Sequence, residues 1–193
     1  MINKYSCINI YENREKNSKL SSQILFGEKF TIIKEYSDFY KIKTNYDKYV
    51  GFIKKRKFEK FAYKPTHKVS SLKANVFSEP NKSSQIKMKL SFASLLQVKS
   101  INKEFFNFDN YWIQKSDVVP ISYKENIFKR VKIFKNVKYK WGGIRFDGID
   151  CSGLVQLFYK FNNLYCPRDT GPQFKYFKKF KSIKKDAIIF WKG

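Results

Sequence analysis

The chain has 193 residues, with 40 Lys or Arg against 16 Asp or Glu, and carries a formal net charge of +24. This length allows several small units but not one large core, and the absence of any apolar run of about 18 residues predicts no membrane span. So positive a field attracts anions without selectivity, but the lysines are scattered and follow no nucleic-acid motif, so no specific nucleic-acid partner is expected.

The first residues, M-I-N-K-Y-S-C-I-N-I, lack a charged segment followed by an apolar one. No signal peptide is read there, and the expected location is the cytoplasm. Residues 1–62 then read as short strands. Ile8 and Ile10 alternate with polar neighbours, and residues 13–18 form a polar turn. Apolar segments follow at 23–26, 30–33, 36–43 and 49–53, separated by turn residues. Strands this short and this closely spaced predict a small β-barrel.

Residues 63–68 contain Pro65 and polar neighbours and are expected to form a linker. Residues 69–121 repeat the theme. The stretch 74–80 parallels 8–14, 88–98 parallels 25–33, and 111–118 parallels 49–54. A second small barrel is expected, with one larger β-domain as the alternative. In 122–138, a helix over 123–135 would place Ile127, Phe128, Val131 and Phe134 on one face.

The stretch 139–155, Y-K-W-G-G-I-R-F-D-G-I-D-C-S-G-L-V, organises the rest. It reads as a loop that turns into a helix with Cys151 in its first turn. Leu154, Val155, Leu157, Phe158 and Phe161 have helical spacing, so one face is buried. Asp150 suits the N-cap, where its carboxylate accepts from free first-turn amides. A thiol at this position meets the positive end of the helix macrodipole, which favours thiolate. A lone cysteine is often only a small buried hydrophobe, but the polar, turn-forming neighbours here point to a nucleophile. Cys7, Cys151 and Cys166 are odd in number and widely spaced, so they offer neither a disulfide framework nor a metal pattern. No cofactor is expected.

Tyr139, Trp141, Gly142, Gly143, Asp150, Cys151, Ser152, Gly153 and Leu154 resemble the opening of the NlpC/p60 family of cell-wall cysteine peptidases. That family's papain-like core begins Y-x-W-G-G and continues with D-C-S-G-L at the head of its central helix. Downstream, residues 166–173 (C-P-R-D-T-G-P-Q) resemble the family's L-P-R-D-S-x-x-Q loop, and residues 186–191 resemble its G-D-L-V-F-F strand. Residues 1–62, in turn, resemble bacterial SH3-like (SH3b) domains.

These resemblances imply an α+β chain: an SH3-like barrel over 1–62, a second over 69–121, and over 122–193 the N-terminal part of a papain-like domain. They imply Cys151 as the catalytic nucleophile, with Tyr139, Asp150, Ser152, Asp169 and Thr170 around the substrate. The layout is similar to that of γ-D-glutamyl-L-diamino acid endopeptidases, which implies cleavage between D-glutamate and a diamino acid in a murein stem peptide. The Asp169 carboxylate would then pair with the free amine of the peptide's first alanine.

The family's catalytic histidine follows the G-D-L-V-F-F strand. Here no histidine follows Cys151, and His67 falls in the expected linker. The expectation is a truncated member holding the nucleophile half, with an open sheet edge at 188–191. The alternative is a non-catalytic SH3-like protein that binds acidic wall peptides or polymers. A monomer is expected in either case.

Overall fold

The computed structural model describes residues 1–60 and 62–191; Phe61, Lys192 and Gly193 of the expected units lie outside the described residues. Alternation builds the first unit. In β1 (Cys7–Tyr11), Ile8 and Ile10 point inward between half-exposed neighbours. β2 (Leu20–Leu25), β3 (Phe30–Glu35), β4 (Phe39–Thr44) and β5 (Val50–Lys54) complete an antiparallel sheet in the order β2-β1-β5-β4-β3. Ile8, Ile10, Ile24, Phe30, Ile42 and Ile53 form its core. Each such side chain, fully buried, contributes about 1.5–3 kcal/mol.

The second unit repeats this wiring. β6 (His67–Val69) precedes β7 (Lys73–Phe77), β8 (Ile86–Ser91), β9 (Leu95–Leu96), β10 (Ser100–Asn102), β11 (Phe105–Phe108), β12 (Tyr111–Gln114) and β13 (Val118–Pro120). The order β8-β7-β12-β11-β10 matches that of the first sheet. The registers match as well: Ile8 faces Ile24 as Ala74 faces Leu90, and both hairpins carry a bulge one turn on, at Ile10/Tyr11 and at Val76/Phe77. Gly27 and Ala93 occupy equivalent left-handed turns, with φ of +80° and +66°. The expected parallel of 74–80 with 8–14 agrees with this register. The other two are displaced: Ser91, not Met88, stands opposite Leu25 in the comparison, and Tyr111 matches Gly51 rather than Tyr49.

Neither five-stranded sheet closes into a barrel among the described residues. β2 and β3 remain edges of the first sheet, as β8 and β10 do of the second. Short pairings partly cover the gap. Ile2 bridges Lys29 and Glu59 in the first unit, and β6 pairs with β9 and β13 in the second.

After each equivalent turn, one phenylalanine is passed to the next unit. Phe26 leaves the end of β2 and enters the core of the second sheet, edge-on to Phe108 at 5.6 Å. Phe92 leaves the end of β8 and stacks on Phe161 at 4.5 Å, in the core beneath helix α1 (Cys151–Phe161). The chain is therefore packed serially, each unit completing the core of the one that follows.

Three sequence expectations change. His67 does not lie in a linker: it opens β6, because Tyr63, buried to 1% exposure, and Thr66 bond to Leu95 and Leu96 and draw the segment onto β9. Its neighbour Lys68 is fully buried and donates to the carbonyls of Ile121, Tyr123 and Phe161, the last in the final turn of α1. Segment 123–135 is not a helix. It winds through turns to a short 3-10 stretch at Val131–Phe134, fixed by Glu125–Arg130 and Asn126–Phe128 bonds, and still lays Phe128 and Phe134 on Phe158. Residues 187–191 form no strand. A strand needs a ladder partner, and no described element offers one; Phe190 instead packs on Phe174 and Phe177.

Candidate active site

The loop before Cys151 is shaped by close backbone approaches. Gly142 has φ +71°, and a Cβ there would lie 2.6 Å from the Leu20 carbonyl oxygen of the first unit. A Cβ on Gly153 would lie 2.7 Å from the Gly143 carbonyl oxygen. These contacts explain why the motif requires glycine at both places. A two-strand hairpin, β14 (Ile144–Arg145) and β15 (Gly148–Ile149), then delivers the chain to Asp150. The Ile144 amide is bound by the Gln23 side chain of β2 at 2.9 Å.

Asp150 caps α1 by accepting from the Gly153 amide at 2.6 Å, and also accepts from the Gly142 amide at 2.8 Å. Arg168 meets the same carboxylate with both terminal nitrogens, at 3.0 and 2.6 Å. The guanidinium also donates to Ser152 Oγ and, through Nε, to Ser22 Oγ of the first unit, each at 3.0 Å. Asp150 and Ser152 were expected beside the substrate. They are instead buried to 7% exposure, their side chains turned into this network, and they hold the site from below.

Cys151 itself is exposed at the first position of α1. Its Sγ lies 3.9 Å from Thr170 Oγ1, at the start of α2 (Thr170–Tyr176). Tyr139 stands out beside it at 66% exposure, and Trp141 of the same loop is 64% exposed. The Tyr139 phenol is pushed above its ordinary pKa by partial desolvation and then by the adjacent Cys151 and Asp150. Asp169 is exposed at the N-cap of α2 yet makes no side-chain capping bond. Its pKa is raised by desolvation and by Asp150 and Asp47, with Arg168 opposing.

The first unit supplies residues that no motif revealed. Where the second sheet has a tight Asp109-Asn110 turn, the first has the longer loop 44–49. Asp47 accepts from Gln156 of α1 at 2.8 Å, and Tyr46 donates to the Leu164 carbonyl at 2.7 Å. Tyr49 lies near Asp169: its pKa is raised by desolvation and then by that carboxylate. The only signal in the sequence was the extra loop length. His67 packs on Phe106 at 4.7 Å and bonds Thr66, neither of them a site residue.

Cys166 is fully buried behind the site, and burial pushes its thiol up to about 12, with Asp47 adding and Lys160 and Gln173 opposing. An unfolded thiol ionises near 9. The unfolded state thus loses this proton first as pH rises, and stability falls between about pH 9 and 12. Denaturant titrations should show Cys166→Ala losing less stability than the wild type over that window. Parallel curves for the two proteins would refute this.

Comparison with known proteins agrees with the architecture. The model of the NlpC/P60 family matches residues 136–193, and that of the bacterial dipeptidyl-peptidase SH3 domain matches residues 10–58. The chain is 28% identical over 176 residues to the γ-D-glutamyl-L-lysine dipeptidyl-peptidase of Bacillus subtilis strain 168, covering 81% of this chain and 58% of that protein. It is 24% identical over 182 residues to the protein of the same name from Bacillus cereus ATCC 10987, covering 81% of this chain and 54% of that one. The chain thus spans little more than half the length of these relatives. A crystal structure of an NlpC/P60 family protein from Bacillus cereus ATCC 10987 superposes with a TM-score of 0.75 at 17% identity, over 97% of this chain and 79% of that one. Two ordered matches, an exposed cysteine at the head of α1 and a shared fold lead to one likeness: residues 136–193 match the NlpC/P60 family model and follow a stretch that matches the bacterial dipeptidyl-peptidase SH3 domain.

Proposed function

We propose that this chain is a cysteine peptidase of murein stem peptides, acting on the bond between γ-D-glutamate and a diamino acid. The observation that carries the reading is the exposed Cys151 at the N-terminus of α1, with Tyr139 beside it and Thr170, which follows the α2 N-cap Asp169, 3.9 Å from its Sγ. Cys151 attacks the γ-glutamyl carbonyl, forming a thioester and releasing the amine of the diamino acid; water then hydrolyses the thioester. The oxyanion forms beside the Cys151 and Ser152 amides at the head of α1, the Gly153 amide being taken by Asp150. Asp169 pairs with the free amine of the leading alanine, and Tyr49 closes that end of the pocket from the first unit. The names of the two Bacillus relatives support this substrate class. His67 is not drawn as the proton acceptor: it bonds Thr66, packs on Phe106 and pairs across the sheet with Leu96 and Pro120.

The test is release of L-alanyl-γ-D-glutamate from L-alanyl-γ-D-glutamyl-L-lysine. Cys151→Ala is expected to abolish turnover while leaving peptide binding within about twofold, since it removes only the reacting atom. Retained turnover would sink the nucleophile assignment. The net charge of +24 favours a second reading, a binding module for acidic wall peptides. That reading is selected if wild type and Cys151→Ala bind the peptide equally and neither cleaves it.

A further inference from the structure

A cleft of about 160 Å³ lies at the seam between the first unit and the β14–β15 hairpin. Its walls include Cys7, Asn9, Tyr11, Lys54, Arg56 and Arg145. Lys54 and Arg56 are exposed and alternate along the chain, while Lys55 between them turns away to pair with Glu35 at 2.6 Å. Arg145 enters from β14. Its Nε is bound by Asp147 at 3.0 Å, behind the cleft. No carboxylate lines the space itself. The adjoining cleft, which shares Tyr11 and Lys54, offsets Arg14 and Lys16 with Glu15 and Asp38. Lys54, Arg56 and Arg145 line this one concavity, and Asp147, on Arg145 Nε, is the carboxylate paired with them.

We infer that this cleft is a binding site for a small tetrahedral oxyanion of the phosphate class. The volume suits one phosphoryl group and falls below the roughly 300 Å³ of pockets that enclose drug-sized ligands. Two guanidiniums supply planar forks and Lys54 a mobile ammonium, the donor set that phosphate takes. Asn9 and Tyr11, already joined by a 3.3 Å bond, add neutral polar groups. The thiol of Cys7 in the same wall is raised to about 11 chiefly by burial, with Arg145 opposing and Glu28 and Asp147 adding. A bound anion would tie β1 and β5 of the first unit to the hairpin that leads into Cys151. The site does not depend on the peptidase reading.

The experiment is thermal unfolding of the whole chain in potassium phosphate against potassium chloride at equal ionic strength. Phosphate is expected to raise the midpoint saturably, as a ligand that binds only the folded state does. Arg56→Gln, an exposed change that leaves the fold intact, should weaken the apparent affinity about tenfold, the equivalent of one charge-assisted hydrogen bond. Arg145→Gln should abolish the shift, and Lys89→Gln, on the exposed face of β8, should leave it unchanged. Glycerol 3-phosphate distinguishes the sources: an equal shift identifies a phosphomonoester end, and a shift with inorganic phosphate alone identifies the free ion. Equal midpoints in phosphate and chloride, or an undiminished shift in both arginine variants, would overturn the site.

Discussion

Arg168→Met is expected to lower stability by about 3–5 kcal/mol, because it leaves a buried carboxylate without its counter-charge. The side chain of Arg168 is 1% exposed and that of Asp150 is 9% exposed, so water cannot replace the lost partner. The loss should extend beyond the pair. Arg168 joins the 166–169 loop to α1 through Asp150 and Ser152, and to the first unit through Ser22. Removing it should loosen the platform under Cys151, read as altered alkylation of that thiol alongside a lower denaturation midpoint. Asp150→Asn in the same protein should recover part of the loss, since the orphaned charge is then gone and the amide can still accept from Gly153. A single-variant cost within about 1 kcal/mol, the range of surface pairs, would show that the pair is not the support described here.

Phe92→Ala should cost about 3–5 kcal/mol, the range for an emptied aromatic site in a packed core. Phe92 has 0% exposure and lies within 5.8 Å, centroid to centroid, of Phe161, Phe158 and Phe134. Its backbone continues the end of β8, but its ring fills the space beneath α1. The damage should therefore appear in α1 rather than in the sheet that carries the residue. Amide hydrogen exchange tests this directly: Phe92→Ala should lose protection in 157–161, and Phe26→Ala in β11 and β12, where Phe108 and Ile113 lie. If each variant instead exposed its own sheet first, the serial packing of the units would be wrong.

Much of this was readable in residue order. The helix after Cys151 shows itself by spacing and by its Asp150 cap, both local features. So does the repeat of 8–14 at 74–80, because alternating burial along a strand is set by near neighbours. The 123–135 stretch shows where such reasoning stops. Its apolar spacing marks a buried surface correctly, but turns satisfy that burial as well as a helix does once α1 provides the opposite wall. The 63–68 stretch contains Pro65 and still ends in a strand, since the bonds that place His67 come from residues some thirty positions away.

The candidate site divides in the same way. The sequence by itself determined that a cysteine heads a helix behind a glycine-shaped loop, because capping, turn geometry and helical periodicity act over a few residues. Only the tertiary structure decided that Asp150 and Ser152 face Arg168 rather than solvent, that Ser22 and the 44–49 loop of the first unit reach the site, and that Phe26 and Phe92 each serve the next unit's core. Those are contacts between segments far apart in the chain. Their partners are selected by how the folded units fit together, for which short stretches of sequence carry no signal.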